Sequence, residues 1–529
     1  MRNRLTVSAL FGSTIAVTMA LTGSVASSVG TDVVTYHNDI GRTGQNLTET
    51  ILTPANVSVT TFGKTAFFNT DGRVDAQPLY LSALSIPGQG ARNMLYVASE
   101  HGSVYGFDAD TGAVVWRTST LGTSEVPSEP VGGCGQVTPE IGVTSTPVID
   151  RTRGIIYVVA MSKVGSTYIQ RLHALALAYG GEVLGGPVTI SATGFDPRMY
   201  EERSALTLVN NKLILAFTSH CDAGTYNGWV MSYDPTTLAQ TGVLKVTQSG
   251  QMGAIWMAGA GPAADAAGNI YLLDGNGTFD TTLNGSGFPV NGNFGNAFVK
   301  IATASGLSVA DYFATFDTVS KSDADSDLGS GGALVLPDLI DGGGQTRHLA
   351  VGAGKDGHMY IVNRDSMGKF NASTNNIYQD LSGALPGGVW AMPAYFNGAL
   401  YYGSVGQRLK AFPIVSARVG STASSQSAGT FAYPGTTPSV SASGTTNGIV
   451  WAVENSGTAV LHAYDATNLA HELYNSSQAG TRDTFGAGNK FITPTIVNGH
   501  VYVGTPNGVA VFGTTIPVAP TNVRIIPAF

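Results

Sequence analysis

A repeated β unit with two turns constrains this chain more than any other feature. Residues 94–116 read MLYVASEHGSVYGFDADTGAVVW. Residues 94–99 are apolar and β-branched, residues 103–107 alternate small or polar side chains with Val104 and Phe107, and residues 113–116 leave as a third strand. Glu100-His101-Gly102 is one turn. Asp108-Ala109-Asp110-Thr111-Gly112 is the other, with side chains that bond their own backbone and a glycine free to take positive φ. A hairpin of this kind cannot bury its faces alone, so it needs copies of itself.

Looser copies follow in order. They are GIIYVVA with RLHALALAYGGEV, KLILAF with GWVMSYDPTTLAQ, NIYLLDGNG with NAFVKIATASGLSV, HLAVGAGKDGHMYIVNRDSMGKF, ALYYGSVGQRLKAF, GIVWAVENSGTAVLHAYDATNLAHEL and HVYVGTPNGVAVFG. With the opening unit they predict an all-β fold, an eight-bladed β-propeller. The last unit stops at Phe512-Gly513 with no outer strand after it, whereas FGKTAFFN at 62–69 is a strand without a unit. Pairing the two predicts a ring closed by the N-terminal strand, which removes two exposed edges.

Composition agrees with an exported β protein: charged residues are 12% and glycines 68 of 529, with helical periodicity nearly absent. A net charge of -8 with no basic cluster argues against nucleic acid as a partner. Residues 1–26 read as a secretory signal peptide, from Met-Arg-Asn-Arg through an apolar run to Ser24-Val25-Ala26, with a retained membrane anchor as the alternative. No later stretch is apolar and long enough to span a bilayer. Residues 27–513 form the propeller and 514–529 a tail or linker stub, and the expected location is secreted or periplasmic. Cys134 and Cys221 are the sole cysteines. In an exported protein such a pair is expected to be oxidised, the alternative being two free buried thiols. There is no CxxCH for covalent haem, and the histidines form no zinc pattern.

Four segments carry further expectations. The polar residues 31–60 are expected to wrap the outside of the ring. Residues 195–204, with Asp196, Arg198, Glu201, Glu202 and Arg203, are expected at the rim. Asp323-Ala324-Asp325-Ser326-Asp327 has the alternation of a calcium loop but lacks its terminal Glu. Residues 412–446 read as a long exposed loop or as an outer strand plus connection. Asp75, after the Asp71-Gly72-Arg73 turn, is either near the axis or a solvated loop carboxylate.

The repeat and a spaced set of polar residues resemble the pyrroloquinoline-quinone (PQQ) dehydrogenases, the eight-bladed quinoprotein alcohol dehydrogenases of the bacterial periplasm. The resemblance implies PQQ and calcium at the axis. It implies calcium ligation by Asp222, where the family has Glu, and by Asn276 in LLDGNG. Trp256 takes the place of the tryptophan on which the quinone lies, and Trp390, preceded by Val389 instead of the family's Asn, a second cofactor contact. Ser204, Ser219 and Asp75 are further implied cofactor contacts. Asp327 in Asp-Leu-Gly takes the place of the catalytic base, and Lys355 in KDGHMYIVNR that of the basic residue at the quinone oxygens. Cys134 stands where the family has two adjacent cysteines above the quinone, with Cys221 as its partner across the axis. The family's arginine after those cysteines has no counterpart, and Glu140 lies near that place.

The chemistry of that set is coherent. Calcium takes oxygen ligands and acts as a Lewis acid on a quinone carbonyl. A carboxylate removes the alcohol proton, a lysine stabilises charge on the reduced oxygen, and an indole offers a flat stacking face. The implied function is a PQQ- and calcium-dependent dehydrogenase of small alcohols or sugars. The alternative, motivated by the missing arginine and the lack of a haem domain, is a non-catalytic secreted propeller that binds a protein or glycan through its loop face.

Overall fold

The computed structural model describes residues 31–515; the expected signal peptide and residues 516–529 of the expected tail lie outside the described residues. The strands fall into eight antiparallel blades of the propeller type. The first is Leu79–Ile86, Gly90–Ser99, Ser103–Asp108 and Val114–Ser119, paired in that order. Its two middle strands are buried from Met94 to Ser99 and from Ser103 to Asp108, while the fourth exposes Val114, Arg117 and Ser119. Asp108 Oδ1 accepts from the Asp110 and Thr111 amides at 3.1 and 2.9 Å, and Gly112 takes φ +75°. The turn is thus closed by the side chain that the DADTG sequence supplies. Trp116 donates from Nε1 to the Leu177 carbonyl of the next blade at 2.9 Å, so each blade packs its apolar face against its neighbour.

Strand Phe62–Asn69 pairs antiparallel with Gly508–Thr514, running from Phe62 opposite Thr514 to Asn69 opposite Gly508. It forms the fourth strand of the blade that contains Thr495–Val497 and His500–Thr505. Within residues 412–446, Ser425–Phe431 is the outer strand of the sixth blade, and Ser439–Ser443 opens the seventh. A short helix, Thr318–Asp323, precedes the fifth. Among the described residues no helix is long and apolar enough to cross a membrane.

Residues 31–48 depart from expectation. They do not wrap the outside; they run through the middle and meet the innermost strand or its lead-in in every blade. Val33 bridges Tyr80, and the Val34, Ile40, Gly41, Thr43 and Gly44 carbonyls accept from Ile149, Ala264, Val335, Tyr395 and Val440. Arg42 donates to Leu206 O at 3.1 Å and Thr207 Oγ1 at 2.6 Å, and Asn46 to Ile496 O at 2.9 Å. The physical reason is that the short inner strands need partners on their axial side. A polar segment rich in main-chain and side-chain donors meets that need, and water on the outside does not.

Candidate functional site

The loops that lead into the inner strands, together with those between the second and third strands of the blades, enclose a cavity of about 390 Å³. Ser219, Cys221, Asp222, Trp256, Asn276, Asp327, Lys355 and Trp390 all line it. Sequence positions from 219 to 390 are therefore brought to one site. The Cys134–Cys221 disulfide is formed, over a sequence separation of 87. Gln136, two residues on, also lines the cavity and donates to the Tyr433 hydroxyl at 3.1 Å. The loop carrying Cys134 is thus tied to the third blade by the disulfide and to the approach to the seventh by this hydrogen bond.

The backbone at the site is unusually strained. Cys221 and Asp222 take φ 49° and 60°, Met257 and Ala258 46° and 53°, Asp325 54° and Phe491 63°. Left-handed conformations cost L-residues roughly 1–2 kcal/mol each and persist where the surroundings over-determine them. The turn at Cys221-Asp222 holds the carboxylate at the wall, where Ser219 at 3.2 Å and the Tyr226 hydroxyl both donate to Oδ1. The turn after Trp256 sets the indole, which meets Phe491 edge to face at 5.2 Å between centroids. Trp390 and Tyr433 form a second edge-to-face pair at 5.7 Å.

Four polar groups converge on the far wall. Asn276 Nδ2 donates to Asp325 Oδ1 at 2.6 Å, while its own Oδ1 is buried with no donor. Lys355 Nζ lies 2.6 Å from Asp327 Oδ1 and also pairs with Asp325. Burial pushes the Asp327 carboxyl up, and the nearby Lys355 only partly offsets it. Burial pulls the Lys355 ammonium down, but Asp327 and Asp325 outweigh burial and leave it above its ordinary value. An orphaned amide oxygen is the kind of ligand a hard cation such as calcium takes, although among the described residues no group of three or more His, Cys, Asp or Glu is placed to hold a metal. Asp222 and Asn276 can hold such an ion, and the indole of Trp256 can carry a flat ring. Asp327 can take a proton from a bound hydroxyl.

Two residues implied by the resemblance do not reach the cavity wall. Ser204 is buried and donates to the Ile255 carbonyl at 2.8 Å, which secures the segment leading to Trp256. Asp75 is buried beside Glu100, whose carboxyl accepts from the Gly142 amide and the Thr144 hydroxyl, both at 2.9 Å. Glu140 is away from the cavity and faces His101 at 3.1 Å. Of the charged loop expected at the rim, Asp196 and Arg198 stay outside, but Glu201, Glu202 and Arg203 are buried. Glu201 ends the short strand Tyr200–Glu201, which pairs with Lys212–Ser219, and Glu202 and Arg203 follow it within a continuous buried stretch that leads to the inner strand Thr207–Val209. Tyr226, Ser330 and Tyr433 also line the cavity. The sequence offered no signal for them except that Tyr226 follows Asp222 by one tight turn.

No protein-family model matches the sequence, and no curated protein matches it. Solved structures share the fold. The chain is similar to a quinohemoprotein alcohol dehydrogenase from Comamonas testosteroni at 15% identity and TM-score 0.60, covering 91% of this chain and 80% of that one. It is similar to another from Pseudomonas putida HK5 at 14% and 0.62, covering 94% and 82%. It is also similar to a europium-containing methanol dehydrogenase at 12% and 0.58, covering 91% and 98%. BamB from Moraxella catarrhalis shares the architecture at 13% and 0.50, covering 85% and 99%, so the fold by itself assigns no chemistry.

Proposed function

We propose that the protein is an exported quinoprotein that binds PQQ and calcium in this cavity and oxidises a small alcohol or a sugar hydroxyl. The observation that carries the reading is the joint placement of Trp256, Asn276, Asp327 and Lys355 around one cavity with a buried, donorless Asn276 Oδ1. Such an oxygen is costly to leave unpaired, and a cation meets its need.

The quinone, when bound, supplies the redox chemistry, with calcium polarising its carbonyl. The chain's residues do the rest. Trp256 gives the flat cofactor a stacking face. Asp222 and Asn276 hold the ion through oxygen atoms. Asp327, whose carboxyl burial raises, would accept the hydroxyl proton of the substrate once ionised. Lys355 would supply positive charge at the cavity wall for a bound quinone. The loop bearing Cys134 and Gln136 contributes Gln136 to the cavity wall and is held there by the disulfide and the hydrogen bond to Tyr433. The disulfide supports a location in an oxidising compartment, the periplasm or the exterior.

The test is reconstitution of the purified protein with PQQ and calcium, then a dye-linked assay over a panel of alcohols and sugars. Turnover that requires both additions supports the reading. Quinone that stays unbound at saturating calcium removes it.

A further inference from the structure

A second cluster of reactive side chains lies in the fifth blade, and none of its members lines the cavity. Strand Met359–Asn363 pairs antiparallel with the outermost strand Gln379–Leu381, with Tyr360 opposite Asp380 and Met359 opposite Leu381. One step further along that register sets His358 opposite Ser382. Side chains alternate between the faces of a sheet, so His358, Tyr360, Asp380 and Ser382 share one face. There the Ser382 hydroxyl lies 3.2 Å from His358 Nε2, and His358 Nδ1 lies 2.7 Å from Asp380 Oδ1. A carboxylate only accepts, so Nδ1 carries the proton of the neutral ring and Nε2 is left to accept from the hydroxyl. Asp380 Oδ2 accepts from Asn375 Nδ2 at 2.8 Å, and the imidazole stacks on Tyr360 at 5.5 Å between centroids. Carboxylate and ring are therefore both held in place. Asn375 Oδ1 accepts from the amide of Phe316, a residue 47% exposed, so an apolar surface stands two hydrogen bonds from Asp380. The side chains of His358 and Asp380 are 23% and 22% exposed, whereas Ser382 is exposed. Gly383 follows at φ +68° with no atom within 4 Å of where its Cβ would stand, so the chain beside the hydroxyl is open to solvent.

We propose that Ser382, His358 and Asp380 form a second catalytic site, a nucleophile, base and acid that together hydrolyse small carboxylic esters. The site stands apart from the quinone reading and needs no cofactor. His358 Nε2 takes the Ser382 proton as Oγ attacks the ester carbonyl carbon, and it gives that proton to the alcohol oxygen as the carbon–oxygen bond to the alcohol breaks. Water then attacks the acyl-serine and loses a proton to Nε2. The bond from the acyl carbon to Oγ breaks, Oγ recovers the proton, and the carboxylic acid leaves. One water is consumed per ester and nothing is oxidised or reduced. Asp380 fixes the tautomer and orientation of the ring and stabilises the imidazolium that forms in each half.

The experiment treats the purified full chain, with no cofactor added, with a fluorophosphonate probe and times the phosphonylation of each serine by mass spectrometry. Hydrolysis of p-nitrophenyl acetate and butyrate is followed alongside, for wild type, Ser382→Ala, His358→Gln and Asp380→Asn. Ser382 is expected to react at least about tenfold faster than the exposed Ser286, because only Ser382 has a base within reach. Ester turnover is expected to disappear in Ser382→Ala, and both readouts to fall about a hundredfold in His358→Gln and at least about tenfold in Asp380→Asn. Reaction of Ser382 at the rate of Ser286, or readouts unchanged in His358→Gln, overturns the proposal. If the histidine variant does not fold, the ratio of Ser382 to Ser286 labelling in wild type decides. Failure of the protein to bind quinone is a separate result and leaves this ratio untouched.

Discussion

Lys355 Nζ stands 2.6 Å from Asp327 Oδ1, inside a cavity where burial favours the neutral acid and the lysine favours the carboxylate. The balance sets when Asp327 can act as a base. Activity of the reconstituted protein is expected to rise with pH as Asp327 ionises. Lys355→Met removes the cation that stabilises the carboxylate, so the rising limb moves to higher pH. Asp327→Asn is expected to lower kcat by about 10²–10⁴ with cofactor affinity changed far less. A pH–rate profile of the three proteins checks both statements.

Asn276 donates from Nδ2 to Asp325 Oδ1 and leaves its own oxygen without a donor. If calcium takes that oxygen, the ion stabilises the fold by about 2.7 kcal/mol at a concentration a hundred times its Kd. Thermal unfolding with and without calcium is expected to show a shift for wild type and a much smaller one for Asn276→Ala.

The disulfide spans 87 residues and joins two loops that cooperate only at the cavity. Cys221→Ser is expected to cost about 2–4 kcal/mol in denaturant unfolding and to weaken cofactor binding, because the Cys134 loop loses its covalent anchor. Reduction of wild type should reproduce both effects.

Arg42 is fully buried and donates to Thr35, Tyr36 O, Leu206 O and Thr207. Arg42→Met orphans several buried acceptors at roughly 1–3 kcal/mol each, enough to threaten folding of a domain of ordinary stability. Soluble expression and circular dichroism read the result; near-normal stability would show that the axial segment is dispensable.

His462 lies 2.6 Å from Glu472 through Nδ1 and 2.9 Å from Glu454 through Nε2. Burial pulls its pKa down, but the two carboxylates outweigh burial and hold it above the ordinary value. Stability from a group raised on folding is full below its unfolded pKa and is lost as pH rises through its folded pKa. The melting temperature is therefore expected to fall as pH climbs from about 6.5, where free histidine titrates, and His462→Gln should flatten part of that slope. His358, raised by Asp380, leaves a residual slope.

The blades were legible because each repeats one hairpin grammar, an apolar strand followed by a turn such as DADTG whose side chains cap their own backbone. The site residues on loops with distinctive neighbours, Asn276 in GNG, Asp327 in DLG and Lys355 in KDG, were legible for the same reason. What escaped were placements decided by topology. The polar segment 31–48 looked like surface, yet unpaired inner strands drew it inside. Glu201, Glu202 and Arg203 looked solvent-bound, yet they lie in a buried stretch between the strands Tyr200–Glu201 and Thr207–Val209. Ser204 and Asp75 lie one layer deeper than the resemblance implied, since neighbouring backbone and carboxyl groups claim them first.

The most direct measurement is the stoichiometry of PQQ binding to the calcium-loaded protein by calorimetry. The account predicts saturable binding of one quinone per chain, dependent on calcium and strongly weakened in Asn276→Ala and Trp256→Leu. Absence of binding by folded wild type, or binding indifferent to calcium and to both substitutions, would contradict it.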